Sequence, residues 1–354
     1  MSPYIVICII IIYFAVIFSV SYFSSKGNNI NNFYKGNKNS PWWVVAIGMI
    51  GTTLSGVTFI SVPGLVSTET KMTYFEVILG NFLGYIAIMY FLLPLYYKMN
   101  LTSIYGYIEQ RFGKISYKTS AILFLLSKLI GAGFRLFIVI LVLQITVFDP
   151  LNLPFYLNAI ISVMLIWAYT IKGGIKSIIW TDMIQTFFLV FAVVFTIFSI
   201  GKELNMNFTS MVSAICSNDQ FVLFDFGNFW SNENNFFKQF ISGAFITIVM
   251  TGLDQDMMQK NLSLKNIHEA TKNFFSFSIA LIPVNFIFLC LGVLFVIYIN
   301  TKGISQQMNP DEIYPILATK YLPFSVSIFF ILGIIASAFS SANSAMVAMT
   351  TSFM

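Results

Sequence analysis

Nine apolar segments, each close to the length that a helix needs to cross a lipid bilayer, dominate the chain. A bilayer-spanning helix takes about 20 predominantly apolar residues. Because 57% of the residues are hydrophobic and only 9% are charged, the sequence predicts an all-α polytopic membrane protein. The predicted spans are 3–23, 42–66, 74–97, 118–147, 153–171, 177–200, 237–258, 272–299 and 324–352.

Lysine and arginine are distributed unevenly over the connections between these spans. Cytoplasmic connections of membrane proteins carry an excess of both residues. Of the 19 such residues, twelve fall in alternate connections beginning with 24–41, five fall in the other set, and Lys128 and Arg135 lie within a span. This pattern predicts a multi-pass protein of the cell membrane with its N-terminus outside and its C-terminus in the cytoplasm. The twelve are Lys26, Lys35, Lys38, Lys98, Arg111, Lys114, Lys118, Lys172, Lys176, Lys260, Lys265 and Lys272.

Two connections have recognisable character. Segment 101–112 is predicted to form a short amphipathic helix on the cytoplasmic surface. The connection 202–236 is polar and rich in asparagine, which predicts an external loop that separates two groups of helices.

The second span, 42–66, is apolar enough to cross the bilayer but has a poor helical sequence in its middle. Gly51, Gly56, Pro63 and Gly64 interrupt it, with threonines and serines between them. A helix broken inside the bilayer leaves free carbonyls where an ion or a polar solute binds. A kinked structural helix whose small residues pack on a neighbour fits the same pattern. From this segment alone, both interpretations remain open.

A few ionisable residues fall at membrane depth, where they are costly and normally face a cavity or a partner. Asp182 comes five residues after the start of its predicted span, so it lies roughly 8 Å inside. It is either functional or paired with Lys128 or Arg135. For Asp254 and Asp256, a partly solvated position at a cytoplasmic helix end is the alternative to a functional role. The full set is Glu76, Lys128, Arg135, Asp182, Asp254 and Asp256.

The last span carries a stripe of hydroxyl groups. Ser337, Ser340, Ser341 and Ser344 follow the spacing i, i+3, i+4, i+7 and share one helix face, with Asn343 beside them. Small residues in a stripe are often a tight helix–helix interface. Neutral oxygens on one face also suit a hard cation, so a site for one monovalent ion is the competing interpretation.

Four stretches together resemble one family of transporters. They are Phe33–Trp43 leading into Gly51–Phe59, Tyr169–Gln185 with its Gly-Gly…Trp-Thr-Asp…Gln pattern, Gly252–Lys260, and the stripe 337–344. In these stretches the chain resembles the sodium:solute symporter family, which includes carriers of sugars, proline, iodide and sialic acid.

This resemblance implies a five-plus-five inverted-repeat fold preceded by one extra helix. The family has ten core helices and the chain offers eight, so the second repeat is expected to be incomplete. The implied divisions are an extra transmembrane helix in 1–24, the first repeat with core helices one to five in 42–201, the external loop 202–236, and a partial second repeat with core helices six to eight in 237–354.

The resemblance also implies three groups of site residues. The sodium site shared by the family would use Gly51, Leu54, Ser337, Ser340 and Ser341, the first three through backbone oxygens. A second sodium, found in some members, would use Asp182, Ser340, Asn343 and Ser344. The solute would lie beside Thr53, Ser55, Thr58 and Arg135, and the arginine favours a carboxylate.

The predicted function is sodium-coupled secondary active symport, in which a small polar organic solute, with a carboxylate as the favoured class, is imported by alternating access. The partners would be co-transported sodium, the solute and the bilayer, with no nucleic acid. An enzyme is not expected, because the sequence offers no nucleophile–base set and no cluster of cysteine and histidine. The alternative is a truncated non-transporting remnant, or a membrane sensor of the same fold.

Overall fold

Fourteen α-helices form the described part of the computed structural model, which comprises residues 3–25, 38, 40–99, 101, 103–171, 174–304 and 308–353. Lys26, Lys35 and Lys172 of the charge pattern, and most of Phe33–Trp43, lie outside the described residues. The helices are α1 Pro3–Ser25, α2 Trp42–Thr53, α3 Gly56–Leu65, α4 Tyr74–Ala87, α5 Leu93–Lys98, α6 Gly106–Leu143, α7 Phe155–Thr170, α8 Gly174–Glu203, α9 Phe208–Cys216, α10 Phe236–Thr247, α11 Gln255–Leu262, α12 Ile267–Lys302, α13 Pro310–Ile316 and α14 Phe324–Phe353. Short π-helical turns continue four of them at Ile88–Leu92, Gln144–Phe148, Ile248–Gly252 and Leu317–Tyr321, and Asp149–Leu151 forms a 3-10 turn.

Six helical segments of the described chain are long and apolar enough to cross a membrane, and two bent pairs raise the number to eight. The bent pairs are α2 with α3, at 63°, and Phe236–Gly252 with α11, at 65°. Eight of the nine predicted spans therefore have a matching helix or bent pair. The ninth, 153–171, corresponds to α7, whose 16 residues extend only about 24 Å, less than the roughly 30 Å hydrocarbon core.

Two connections differ from their predicted form. The surface helix expected at 101–112 begins at Gly106. It reaches a kink at Gly113, where φ is 85°, and a second helical stretch continues from the kink into the following span. Glycine accepts this left-handed region without a Cβ clash, so two helices join there at a kink. The polar connection 202–236 contains a helix, α9, that its asparagine-rich sequence did not suggest.

Helix α14 lies at the centre of the fold, and 78% of its apolar 18-residue stretch is buried within the protein. It packs against α8, α6 and α2. Helix α2 approaches α8 closely because Gly51 faces Thr186, and a Cβ at Gly51 would overlap the threonine side chain. The broken pair α2–α3, the helix α8 and the serine-bearing part of α14 therefore meet in one place.

Candidate ion and solute site

The break between α2 and α3 releases two carbonyls from helical hydrogen bonding. In a continuous helix the N–H of residue i donates to the carbonyl of residue i−4. Here Ser55 N–H donates to Thr53 O at 3.0 Å instead of Gly51 O. Thr58 N–H donates to the Ser55 side chain at 3.4 Å instead of Leu54 O. The carbonyls of Gly51 and Leu54, both predicted sodium ligands, therefore lack the donors that a continuous helix would give them.

Ser55 makes the break possible, because it caps the N-terminus of α3. Its backbone is extended, at φ −66° and ψ 167°, and its hydroxyl accepts from the first turn of α3. Serine is among the preferred residues at this position, since its oxygen replaces a missing carbonyl partner.

The break lies directly against the serine stripe of α14. Thr52 Oγ1 is 3.4 Å from Ser340 Oγ, and a Cβ on Gly56 would lie 3.3 Å from Ser337 Oγ. All four stripe serines are buried. Ser341 Oγ has no hydrogen-bond partner among the described residues, whereas Ser337 Oγ donates to Ile334 O at 2.9 Å. The structure therefore places the helix break beside the serine stripe and leaves the buried hydroxyl oxygen of Ser341 unpaired among the described residues.

The carboxylate of Asp182 has a partner that the sequence did not indicate. Lys260 Nζ lies 2.6 Å from Asp182 Oδ2, and both side chains are at most 1% exposed. Of the two alternatives left open for Asp182, pairing with Lys128 or Arg135 is therefore wrong. So is the assignment of Lys260 to a cytoplasmic connection, because α11 continues the bent span and carries this lysine into the interior.

Two of the predicted ligands of a second sodium contact Asp182, and one faces elsewhere. Ser340 Oγ donates to Asp182 Oδ1 at 2.7 Å, and Ser344 Oγ donates to Oδ2 at 3.1 Å. The oxygen of Asn343 instead accepts from Thr170 Oγ1 at 2.5 Å. A second sodium at these four residues stays a prediction.

A polar cavity of about 260 Å³ opens beside the break. Two larger concavities, of about 670 Å³ and 580 Å³, are lined almost wholly by apolar groups and offer little to recognise a polar solute. A pocket of about 50 Å³ adjoins the polar cavity and adds Ser278 and Asn285 to its wall. The cavity lining includes all four predicted solute residues, Thr53, Ser55, Thr58 and Arg135, and further Thr52, Tyr74, Asn81, Tyr85, Lys128, Thr247, Thr251, Asp254 and Asp256.

The charged wall of the cavity lies at the bend between Phe236–Gly252 and α11. Asp254 caps α11 by accepting from Asp256 N–H at 2.8 Å. Lys128 of α6 reaches both carboxylates, at 2.8 Å from Asp254 and 3.3 Å from Asp256. The two aspartates thus lie at the break of a bent helix pair and not at the end of a span, which was the alternative position for them. Arg135, half-buried on the same helix as Lys128, forms no ion pair with a carboxylate that the structure describes.

The sequence pattern of one family covers almost the whole chain, matching residues 33–354 with the sodium:solute symporter family. The chain belongs to this family. The similar proteins of this family are sodium-coupled transporters and not enzymes. This agrees with the prediction that the protein is not an enzyme.

Several relatives of the family align along most of the chain. The sodium/sialic acid symporter SiaT of Proteus mirabilis is 26% identical over 339 residues, which cover 94% of this chain and 66% of SiaT. The sodium/sialic acid symporter NanT of Aliivibrio fischeri is 26% identical, with coverages of 92% and 64%. The sodium/glucose cotransporter of Vibrio parahaemolyticus is 22% identical, with coverages of 90% and 62%. The chain thus spans about two thirds of the length of these relatives.

The fold agrees with that of a solved family structure. A substrate-bound, outward-open Na⁺-coupled sialic acid symporter superposes with a TM-score of 0.86 at 22% identity, covering 99% of this chain and 74% of that one. This similarity confirms the predicted fold class of a symporter with an all-helical membrane domain.

Four residues of the candidate site were missed in the sequence. Thr52 was passed over as one hydroxyl among several in the break. Asn81 and Tyr85, which line the cavity from α4, lie in an otherwise apolar span with no motif around them. Lys260 had a signal, since it ends the Gly252–Lys260 stretch, but its position just after an apolar segment resembled an ordinary loop lysine.

Proposed function

We propose that this protein is a sodium-coupled symporter that binds one sodium ion where the α2–α3 break meets α14 and a small polar solute in the adjoining cavity. The observation that carries the proposal is the contact between break and stripe, with Thr52 Oγ1 3.4 Å from Ser340 Oγ and the buried hydroxyl of Ser341 unpaired among the described residues. Hydroxyl and carbonyl oxygens are the ligands that hard cations prefer.

The sodium ligands would be Gly51, Leu54 and Ser337 through their carbonyls and Ser340 and Ser341 through their hydroxyls. Such an ion joins a broken helix to α14, so its binding favours one arrangement of the two. The same cavity then binds solute better in that arrangement, and by linkage the solute must tighten sodium binding by the same factor. Alternating access would follow from one group of helices rocking against the rest.

The solute that suits the cavity is a small organic carboxylate bearing polar groups. Arg135 would bind the carboxylate, since a guanidinium offers paired donors to it. Thr53, Ser55 and Thr58 at the break would bind its hydroxyl or amide groups. SiaT and NanT, named as sialic acid symporters, make sialic acid the first compound to test. The excess of basic residues in alternate connections supports a C-terminus in the cytoplasm, and an inward sodium gradient would make the transport import.

Energetics determine how far one ion can drive this import. A membrane potential of 100 mV contributes about 2.3 kcal/mol per charge, and a tenfold sodium gradient contributes about 1.4 kcal/mol. A monovalent carboxylate carried with one sodium ion moves no net charge, so only the roughly tenfold contribution of the sodium gradient remains. For a neutral solute, both contributions together support roughly 400- to 500-fold accumulation. Two ions would support roughly the square of that ratio, so the number of ions decides the working range.

The test measures sodium binding and sodium-driven uptake by the purified chain. It compares two serine-to-alanine variants on α14, one inside the proposed site and one outside it. Ser341→Ala should weaken sodium binding by about tenfold or more, which is about 1.4 kcal/mol, and should slow uptake of radiolabelled sialic acid into proteoliposomes. Ser327→Ala is the control, because Ser327 is a buried serine of α14 whose hydroxyl donates to Ala318 O and which lies roughly 21 Å away along the helix.

The outcomes separate the alternatives. Equal sodium affinity in the two variants and the wild type would refute the proposed ion site. Sodium binding without uptake of any carboxylate would instead favour the sensor or remnant over the carrier.

A further inference from the structure

The carboxylate of Asp182 already forms an ion pair with a lysine of the same chain. Lys260 Nζ lies 2.6 Å from Asp182 Oδ2, with the lysine 1% and the aspartate 0% exposed. A buried carboxylate needs a compensating positive charge, and the ammonium supplies it. A sodium ion bound to Asp182 would therefore bring a second positive charge to a pair that is already neutral.

Both oxygens of the carboxylate are also occupied by donors. Oδ1 accepts from Ser340 at 2.7 Å. Oδ2 accepts from Lys260 at 2.6 Å, from Ser344 at 3.1 Å and from Thr52 at 3.3 Å. Each carboxylate oxygen has about two lone-pair sites for acceptance, so the three contacts fill Oδ2, whereas Oδ1 keeps one site. A sodium ion would have to displace the lysine to bind Oδ2, and at Oδ1 it would meet a carboxylate whose charge the ammonium already neutralises.

The lysine is held in this position from several helices. Its ammonium also donates to Thr52 Oγ1 at 2.5 Å, and its backbone carbonyl accepts from Ser263 Oγ at 2.6 Å. The other carboxylates of the same bent span, Asp254 and Asp256, are paired with Lys128 and offer Lys260 no alternative. The ammonium thus bridges α11 to α8 and to the broken end of α2.

From this geometry we propose that Lys260 is a built-in cation, which takes the place that a second sodium ion would occupy at Asp182. The inference rests on the proposed function, because it assigns that function a single sodium ion per chain. Asp182, with Ser340 and Ser344 bonded to it, then binds the lysine instead of a second sodium ion. The ion at the helix break is the transported one.

The experiment counts sodium ions bound by the full chain, purified in detergent and dialysed to equilibrium against radioactive sodium at alkaline pH, where a free aspartate is ionised. The wild type should bind one ion per chain. Lys260→Met, which keeps the length of the side chain and removes its charge, should double this number, because the bare carboxylate then needs a cation. The double variant Lys260→Met/Asp182→Asn should return to one.

Lys302→Met is the matched control, since Lys302 forms an ion pair with Glu203 at 3.7 Å but is 41% exposed; it should leave the number at one. If Lys260→Met does not give a monodisperse protein, Lys260→Gln replaces it, with the same doubling expected because its amide is neutral.

Each result has a distinct meaning. Two ions bound by the wild type would overturn the built-in cation and leave the symporter proposal intact. One ion bound by a folded Lys260 variant would overturn it as well, because removal of the ammonium would have opened no site. No sodium bound by the wild type would instead count against the proposed function itself.

Discussion

Thr52 and Ser340 lie 288 positions apart in the sequence, yet their hydroxyl oxygens are 3.4 Å apart in the fold. Thr52 stands at the end of α2, where the second span breaks, and Ser340 stands in the middle of α14. The same threonine accepts from Lys260 and donates to Asp182. One hydroxyl therefore connects the helix break, the serine stripe and the buried ion pair.

Thr52→Val should disturb all three, because valine has the shape of threonine without its hydroxyl. The Lys260 ammonium loses an acceptor inside the protein, which typically costs about 1–3 kcal/mol. We expect a lower melting temperature in detergent and weaker sodium binding. Thr350→Val is the control, since the exposed Thr350 bonds only to Met346 O in its own helix. Equal melting of both variants would show that the Thr52 hydroxyl contributes nothing.

Arg135→Gln should remove binding of a carboxylate solute while leaving sodium binding unchanged. A hydrogen bond to a charged group is worth about 1.5–3 kcal/mol, so the solute affinity should fall roughly 10- to 100-fold. The measurement is competition by unlabelled carboxylates against labelled solute. Arg111→Gln is the control, because Arg111 lies exposed on the same helix before the kink. Normal affinity in Arg135→Gln would remove the reason to expect an anionic solute.

Lys128→Met should destabilise the protein more than the double variant Lys128→Met/Asp254→Asn does. The single change leaves Asp254 and Asp256 side by side without a cation. Removing one partner of a fully buried pair costs about 3–5 kcal/mol, and since Lys128 and Asp254 are 16% and 17% exposed, a smaller cost of roughly 2 kcal/mol is expected here. Denaturant unfolding of both variants measures the difference. A double variant no more stable than Lys128→Met would mean that the bare aspartate is not the cause of the loss.

Gly51→Ala should lower stability, because a Cβ there would overlap the Thr186 side chain. Thr186 cannot turn aside freely, since its hydroxyl donates to Ile47 O at 2.9 Å and to Asp182 O at 2.7 Å. Overpacking of this kind costs about 1–3 kcal/mol. Gly131→Ala is a matched control within α6, where a Cβ meets nothing within 4 Å, and it should be neutral or stabilising by up to about 1 kcal/mol. The two melting temperatures decide the comparison.

Hydropathy and backbone chemistry predicted most of the helical layout and the first break. Gly51 and Gly56 in an apolar span are a local signal, because each weakens a helix whatever surrounds it. The serine stripe is likewise local, since it depends only on the helical period. These features needed no knowledge of distant contacts.

The partner of Asp182 could not be predicted in this way. Lys260 follows an apolar segment by only a few positions, where positive residues usually mark the end of a span. Its burial depends on the 65° bend before α11, and that bend is stabilised by Asp254 at its cap and by Lys128 from another helix. The pairing is therefore a property of three-dimensional packing that no single segment carries.

The two bent pairs also have a consequence for how the protein is made. Each leaves peptide groups inside the bilayer that its own segment does not satisfy, and α2–α3 depends on α14, which leaves the ribosome last among the described helices. The first-made part must therefore remain shielded from lipid, by the insertion machinery or by early neighbours, until the late helix arrives. We therefore expect this fold to assemble in the membrane only after its last described helix is made, rather than by independent helix insertions.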